Sequence, residues 1–252
     1  MMDNVQHRRL VAEALGTFFL VLIGPGAVMV NAHSGGVLGH TGIALAFAFV
    51  VTAMVYGLGH LSGAHINPAV TIAFWSVRRF PTREVIPYIL AQCVGAAGAS
   101  TILRLVLGMA GNLGATLPAV PVAGAFTVEA LLSFALMFVI MAVATDDRVA
   151  NGFAGIAVGL TVGFCALMGG PLTGASMNPA RSLGPALVGG LWSRHWIYWT
   201  APIIGMVAAA HLYDLLRGAA PVRGVPAGQA LGVQGPIDAQ AGDGAEPVAR
   251  AR

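Results

Sequence analysis

Leu61-Ser-Gly-Ala-His-Ile-Asn-Pro-Ala69 returns 111 residues later as Leu172-Thr-Gly-Ala-Ser-Met-Asn-Pro-Ala180, with six identities in nine positions. Asparagine is a strong helix N-cap, and proline suits the first helical position, where its missing N–H costs nothing. Each copy therefore predicts a helix that starts at Asn67-Pro68-Ala69 or at Asn178-Pro179-Ala180. The apolar stretches that follow are short, about ten residues each, and end near Arg78 and Gly190. At 1.5 Å per residue, such a helix reaches about half way through a hydrocarbon core about 30 Å thick. One Asn-Pro-Ala arises easily in a chain rich in alanine, whereas two at matching places in a duplication are a specific signal.

A second match supports the duplication. Ala12–Phe19, AEALGTFF, resembles Val128–Ala135, VEALLSFA, at an offset of 116. Of the 252 residues, 57% are hydrophobic and 9% charged, and mean hydropathy is +0.79. About a quarter of the residues of a soluble domain are charged, so a soluble globular enzyme is excluded. Spans of about 20 apolar residues predict membrane helices near 9–31, 41–60, 84–107, 124–145, 150–168 and 196–217. The fold class is thus an all-α membrane protein of six transmembrane helices plus two re-entrant half-helices. The membrane domain occupies 1–217, with repeats at about 8–108 and 124–217, and a disordered tail rich in Gly, Ala and Pro fills 218–252. Because each repeat holds three spans, an odd number, the second enters the bilayer upside down. The half-helices then come from opposite faces, and such inverted repeats place their functional site at the midplane.

Thirteen arginines and no lysine carry the positive charge, a composition that hints at a GC-rich bacterial genome. This topology puts Arg8, Arg9, Arg78, Arg79, Arg83, Arg148, Arg217, Arg223, Arg250 and Arg252 on one side, and Arg104, Arg181 and Arg194 on the other. The positive-inside rule then sets both termini in the cytoplasm of a multi-pass protein of the bacterial inner (plasma) membrane. Nucleic acid is excluded as a partner because the arginines lie dispersed between apolar spans. The apolar run from Leu10 to Val30 is too long for a signal peptide and reads as a retained helix. Cys93 and Cys165 lie in apolar runs, His33, His40, His60, His195 and His211 have no zinc spacing, and a lysine-free chain has no P-loop. No metal and no cofactor is expected.

Half-helices entering from opposite sides bring Asn67 and Asn178 together, each with its amide NH₂ free for a pore. The positive ends of both helix dipoles converge there and oppose cations, including a proton carried along a water chain. Glu13 and Glu129 sit at equivalent places in the two repeats, which favours hydrogen bonding to the re-entrant loops over a proton relay.

The paired motifs Ser62–Val70 and Gly174–Ser182 resemble those of the aquaporin (major intrinsic protein) family over residues 8–217. The resemblance implies a homotetramer in the lipid bilayer, each protomer with its own passive pore for water and small neutral solutes, and no enzyme activity. It makes Arg181 the cationic member of the selectivity filter, with Phe47, Ala166 and Ala175 as the other walls. It assigns backbone carbonyls of Gly63, Ala64, His65, Gly174, Ala175 and Ser176 to a ladder of water acceptors. Water-selective relatives have histidine where this chain has Ala166, so the filter should be wide and short of a donor. Ser182, Ala186 and the Tyr198-Trp199 pair instead resemble water channels, and GPLTGASMNPARSLGPA resembles the nodulin-like branch. Glycerol, urea and undissociated metalloid acids are therefore open as further solutes. The alternative is an ion-coupled secondary transporter, since inverted repeats and broken helices also build those.

Overall fold

The computed structural model describes residues 4–149 and 152–218, so the predicted disordered tail lies outside the described residues apart from Gly218. Among the described residues six helices are long and apolar enough to cross a membrane: α1 (Asn4–His33), α2 (Gly39–Ser62), α4 (Thr82–Leu107), α5 (Val122–Thr145), α6 (Ala154–Thr173) and α8 (Ile197–Arg217). Between them lie two short helices, α3 (Pro68–Ser76) of 9 residues and α7 (Pro179–Gly189) of 11. The predicted half-helices are present, each opening at its Asn-Pro-Ala.

The packing repeats with the sequence. Helix α1 packs on α4 and α2 as α5 packs on α8 and α6, and α2 meets α6 across the two repeats. Lipid offers no hydrophobic force to drive helices together, so close approach of small residues must do it. A Cβ at Gly95 would stand 2.0 Å from the Ala14 carbonyl oxygen, and one at Gly205 would stand 2.1 Å from that of Ala130. Both crossings therefore need glycine. Gly95→Val is expected to force α1 from α4 and lower the yield of monodisperse protein in detergent severalfold, as measured by size-exclusion chromatography.

Two helix boundaries differ from the sequence reading by five residues, the largest departures, and both have a local cause. Helix α6 runs on to Thr173 rather than stopping at 168, although Gly169-Gly170-Pro171 looks like a terminator. Pro171 withdraws the N–H that would have paired with the carbonyl four residues back. His40 Nε2 donates to that Leu167 carbonyl instead, at 2.8 Å, and the helix continues. Helix α1 starts at Asn4 rather than 9 because its polar first turns are tied to the fold through Arg9, which pairs with Glu84 at 2.5 Å, both buried.

Polar ties also close the two ends of the bundle. At one end Arg79 meets Asp214, Arg217 donates to the Thr145 carbonyl, and Tyr213 donates to Asp146. Hydrogen bonds from Arg148 hold the Asp146 carboxyl well below the usual carboxylate range. At the other end Arg104 donates to the Val188 carbonyl. Between α4 and α5 the chain makes a left-handed turn at Gly111, Asn112 and Leu113 (φ 52°, 52° and 56°) and buries Leu113 fully against Met29 and Leu103.

Candidate pore and selectivity filter

Each short helix is capped by its own asparagine. Asn67 Oδ1 accepts from Ala69 N at 2.9 Å, and Asn178 Oδ1 accepts from Ala180 N and Arg181 N at 3.0 and 3.2 Å. The amide groups do more than the sequence reading gave them. Asn67 Nδ2 donates to the Met177 carbonyl and Asn178 Nδ2 to the Ile66 carbonyl, each at 2.8 Å. The expectation that both NH₂ groups stay wholly free is corrected, because each loop passes within hydrogen-bond reach of the other's asparagine. An amide NH₂ has two hydrogens, so one braces the opposite loop and the second remains for the pore.

The loops leading into the caps are strained and held. Ala64, Ile66, Ala175 and Met177 all have positive φ (44°, 44°, 42° and 51°), a conformation that costs a side-chain-bearing residue about 1–3 kcal/mol. Glu13 holds the first loop. Its Oε1 accepts from Ser62 Oγ and His65 N, and its Oε2 from Ile66 N and Gln92 Nε2, all at 2.7–2.9 Å. Glu129 holds the second. Its Oε1 accepts from Thr173 Oγ1 and Ser176 N, and its Oε2 from Met177 N. Tyr88 and Tyr198 donate to the carbonyls of Ser62 and Thr173 at equivalent places. Duplication alone marks the two glutamates in the sequence, whereas nothing local marks Tyr88, Gln92 or Thr173.

A narrow cavity of about 50 Å³ passes the meeting point of the half-helices and is lined by both capping asparagines. Its walls include Ala64, His65 and Ile66 from one loop, Ala175, Ser176 and Met177 from the other, and an apolar face of Val51, Val55, Leu136, Ile140, Val158 and Val162. A wider vestibule of about 280 Å³ lies beyond it, lined by His40, Gly114, Gly170 and Gly174 among others. Phe47, Ala166 and Arg181 line both spaces and so stand at their junction. Ala175 faces the narrow cavity, Gly174 faces the vestibule, and Gly63 lines neither. Pro68, Ala69, Pro179 and Ala180 are buried in the first turns of α3 and α7.

Arg181 is 3% exposed. Its Nη1 donates to the Gly114 carbonyl at 2.8 Å, and its guanidinium carbon lies 5.2 Å from the centre of the Phe47 ring. Gly114 sits where a Cβ would come within 2.7 Å of Pro25, with φ at 63°, so this acceptor depends on glycine. The sequence reading found Arg181 and missed its anchor, which comes from a segment without a motif. His65 is packed rather than ligating: Nδ1 lies 3.1 Å from Thr71 Oγ1, and the ring stacks on Phe74 with centres 5.1 Å apart. Among the described residues no cluster of three or more metal-binding side chains occurs.

Two half-helices braced tip to tip inside a six-helix bundle, with a cavity running past their ends, define a transmembrane pore. Residues 2–213 match the family model described as Major intrinsic protein, and the chain belongs to that family. It is 47% identical to nodulin-26 of Glycine max over 211 residues, covering 83% of this chain and 78% of that one. It is 46% identical to aquaporin NIP1-1 of Zea mays, covering 83% and 75%. The X-ray structure of the aquaglyceroporin from Plasmodium falciparum superposes with a TM-score of 0.73 at 28% identity, covering 83% of this chain and 96% of that one. The protein is a passive channel for water and small solutes and not an enzyme. The ion-coupled alternative finds no support in the site: Glu13 and Glu129 are held by the loops and line neither cavity.

Proposed function

We propose that the channel passes water together with small uncharged solutes of the size of glycerol or urea, undissociated metalloid acids included, and excludes protons and ions. The observation that carries this reading is the small side chains of the wall: Ala166, at the junction with Phe47 and Arg181, and Ala175, in the narrow cavity, put methyl groups where larger side chains would narrow the way. The likeness to the aquaglyceroporin from Plasmodium falciparum supports a filter open to more than water. Asn67, Asn178 and the loop carbonyls would hand the solute past the midplane, with the two positive helix ends and Arg181 repelling cations.

The channel domain covers 1–217 and works as a homotetramer of independent pores in the plasma membrane, the inner membrane of a bacterium. Both termini face the cytoplasm. The end of the bundle that carries Arg9, Arg79, Arg148 and Arg217 is the one the positive-inside rule keeps there.

The test is light scattering of proteoliposomes after an osmotic step, with an impermeant osmolyte and with glycerol. Fast shrinkage followed by accelerated reswelling in glycerol is the expected result; fast shrinkage with no reswelling makes the channel water-only. Ala166→His should narrow the junction and lower glycerol flux about tenfold or more, the scale on which a few added heavy atoms in a fitted site discriminate, while water flux falls less. Equal glycerol flux in variant and parent sinks the filter assignment.

A further inference from the structure

The two repeats support their capping loops with different atoms at one place. Behind the first cap, Thr71 Oγ1 lies 3.1 Å from His65 Nδ1 and receives Gln92 Nε2 at 3.1 Å, all within one repeat. In the second repeat Ser182 takes the place of Thr71, Ser176 that of His65, and Pro202, which has no side-chain donor, that of Gln92. The missing partner comes from outside the repeat. Thr116, in the segment between α4 and α5, donates to Ser182 Oγ at 2.8 Å. Ser182 Oγ lies 2.5 Å from Ser176 Oγ, which donates to the Asn178 carbonyl at 2.9 Å. With Thr116 donating and Ser176 donating, Ser182 must donate to Ser176. The three hydroxyls thus run in one direction, from the connecting segment to the second cap, and all three residues are buried.

The same segment carries Gly114, two residues before Thr116. Its carbonyl is the one protein acceptor that the Arg181 guanidinium has among the described residues. Leu113, fully buried, and the Ala119 N–H on the Leu172 carbonyl at 2.9 Å fix the ends of the segment. Between those two anchors, two hydrogen bonds tie the segment to α7, the Thr116 hydroxyl on Ser182 and the Gly114 carbonyl on Arg181, and the first, two residues along the chain, helps set where the second is made.

We propose that Thr116 is a positioning residue for solute discrimination: through Ser182 and Ser176 it locks the α4–α5 segment to the second cap, and through Gly114 it keeps Arg181 drawn to one wall of the filter. Without the hydroxyl the Gly114 carbonyl shifts, and Arg181 loses its acceptor and turns toward the vestibule it already lines. A wider solute is obstructed more than water. This inference rests on the reading that glycerol passes.

The experiment compares Thr116→Val, which removes the hydroxyl at constant shape, with Thr116→Ser, which keeps it, in the full-length protein reconstituted into liposomes. Thr116→Val is expected to lower the ratio of glycerol to water permeability about fivefold, the factor controlled by one buried hydrogen bond of ordinary strength. Thr116→Ser should restore it. Ser182→Ala deletes the same bond from the other side and should give the same drop, with no further loss in the double variant. A parent ratio in Thr116→Val, or an equal fall in Thr116→Ser, overturns the proposal. If Thr116→Val does not fold, Ser182→Ala decides alone: a fall supports the proposal and the parent's ratio overturns it. If the parent passes water and no glycerol, the solute reading fails, and Thr116 is read on the water rate, which Thr116→Val must lower and Thr116→Ser restore.

Discussion

Arg181→Ala is expected to leave a channel that still conducts water and has begun to leak cations. The filter loses its one positive side chain, held 2.8 Å from the Gly114 carbonyl and over the Phe47 ring. At an effective dielectric of about 20, a unit charge about 4 Å from a passing cation opposes it by about 4 kcal/mol, about a thousandfold in entry. The leak will fall short of that ceiling, because the amino ends of α3 and α7 still converge below the filter and present their own positive barrier. Alanine also opens the junction between vestibule and pore, so solutes larger than glycerol should enter. Liposomes loaded with a pH-sensitive dye give the readout under an imposed proton or potassium gradient. The parent should hold the gradient, and the variant should dissipate it at least tenfold faster. A variant as tight as the parent would mean that the helix ends alone exclude cations and that Arg181 acts on neutral solutes only.

Apart from Arg181 and the filter walls, which a family resemblance supplied, the parts of this pore that could be read from the sequence are those the duplication writes twice. Asn67 and Asn178, Glu13 and Glu129, and the short helices behind each cap recur at a nearly constant offset, and cap chemistry has a local signature that needs no partner. What stayed hidden is what the second half borrows from elsewhere. Thr116 and Gly114 belong to a connecting segment with no helical or strand period, and they matter only because a left-handed turn carries them over the filter. Gln92 and Tyr88 sit on α4 among ordinary span residues, and their roles appear only when α4 packs on α1 and brings them to the first loop. His40 reads as a lone histidine until Pro171 is seen to leave the Leu167 carbonyl without its helical partner. In each case the missing information was a long-range contact, and local propensity carries none of it.

Glu13→Gln is expected to fail as a folded protein, and the reason separates a supporting carboxylate from a transporting one. The carboxylate accepts four hydrogen bonds, two of them from loop amides next to residues with positive φ. An amide in its place offers one oxygen and turns an NH₂ toward groups that are themselves donors. At least one buried loop N–H, of His65 or Ile66, loses its acceptor, at about 1–3 kcal/mol, and the strain at Ala64 and Ile66 adds about 1–3 kcal/mol apiece once nothing holds it. That sum approaches the whole margin of about 5–15 kcal/mol by which a folded protein is stable. Glu129→Gln should be milder, because its carboxylate accepts three bonds and the second loop keeps the hydroxyl chain through Ser176 and Ser182. Size-exclusion profiles and thermal midpoints in detergent give the ranking, and vesicle shrinkage gives the water rate. If Glu13 served as a proton or ion relay, the pattern would reverse: a well-folded Glu13→Gln protein that has lost transport. Recovery of such a protein would overturn the supporting role and return the coupled transporter to consideration.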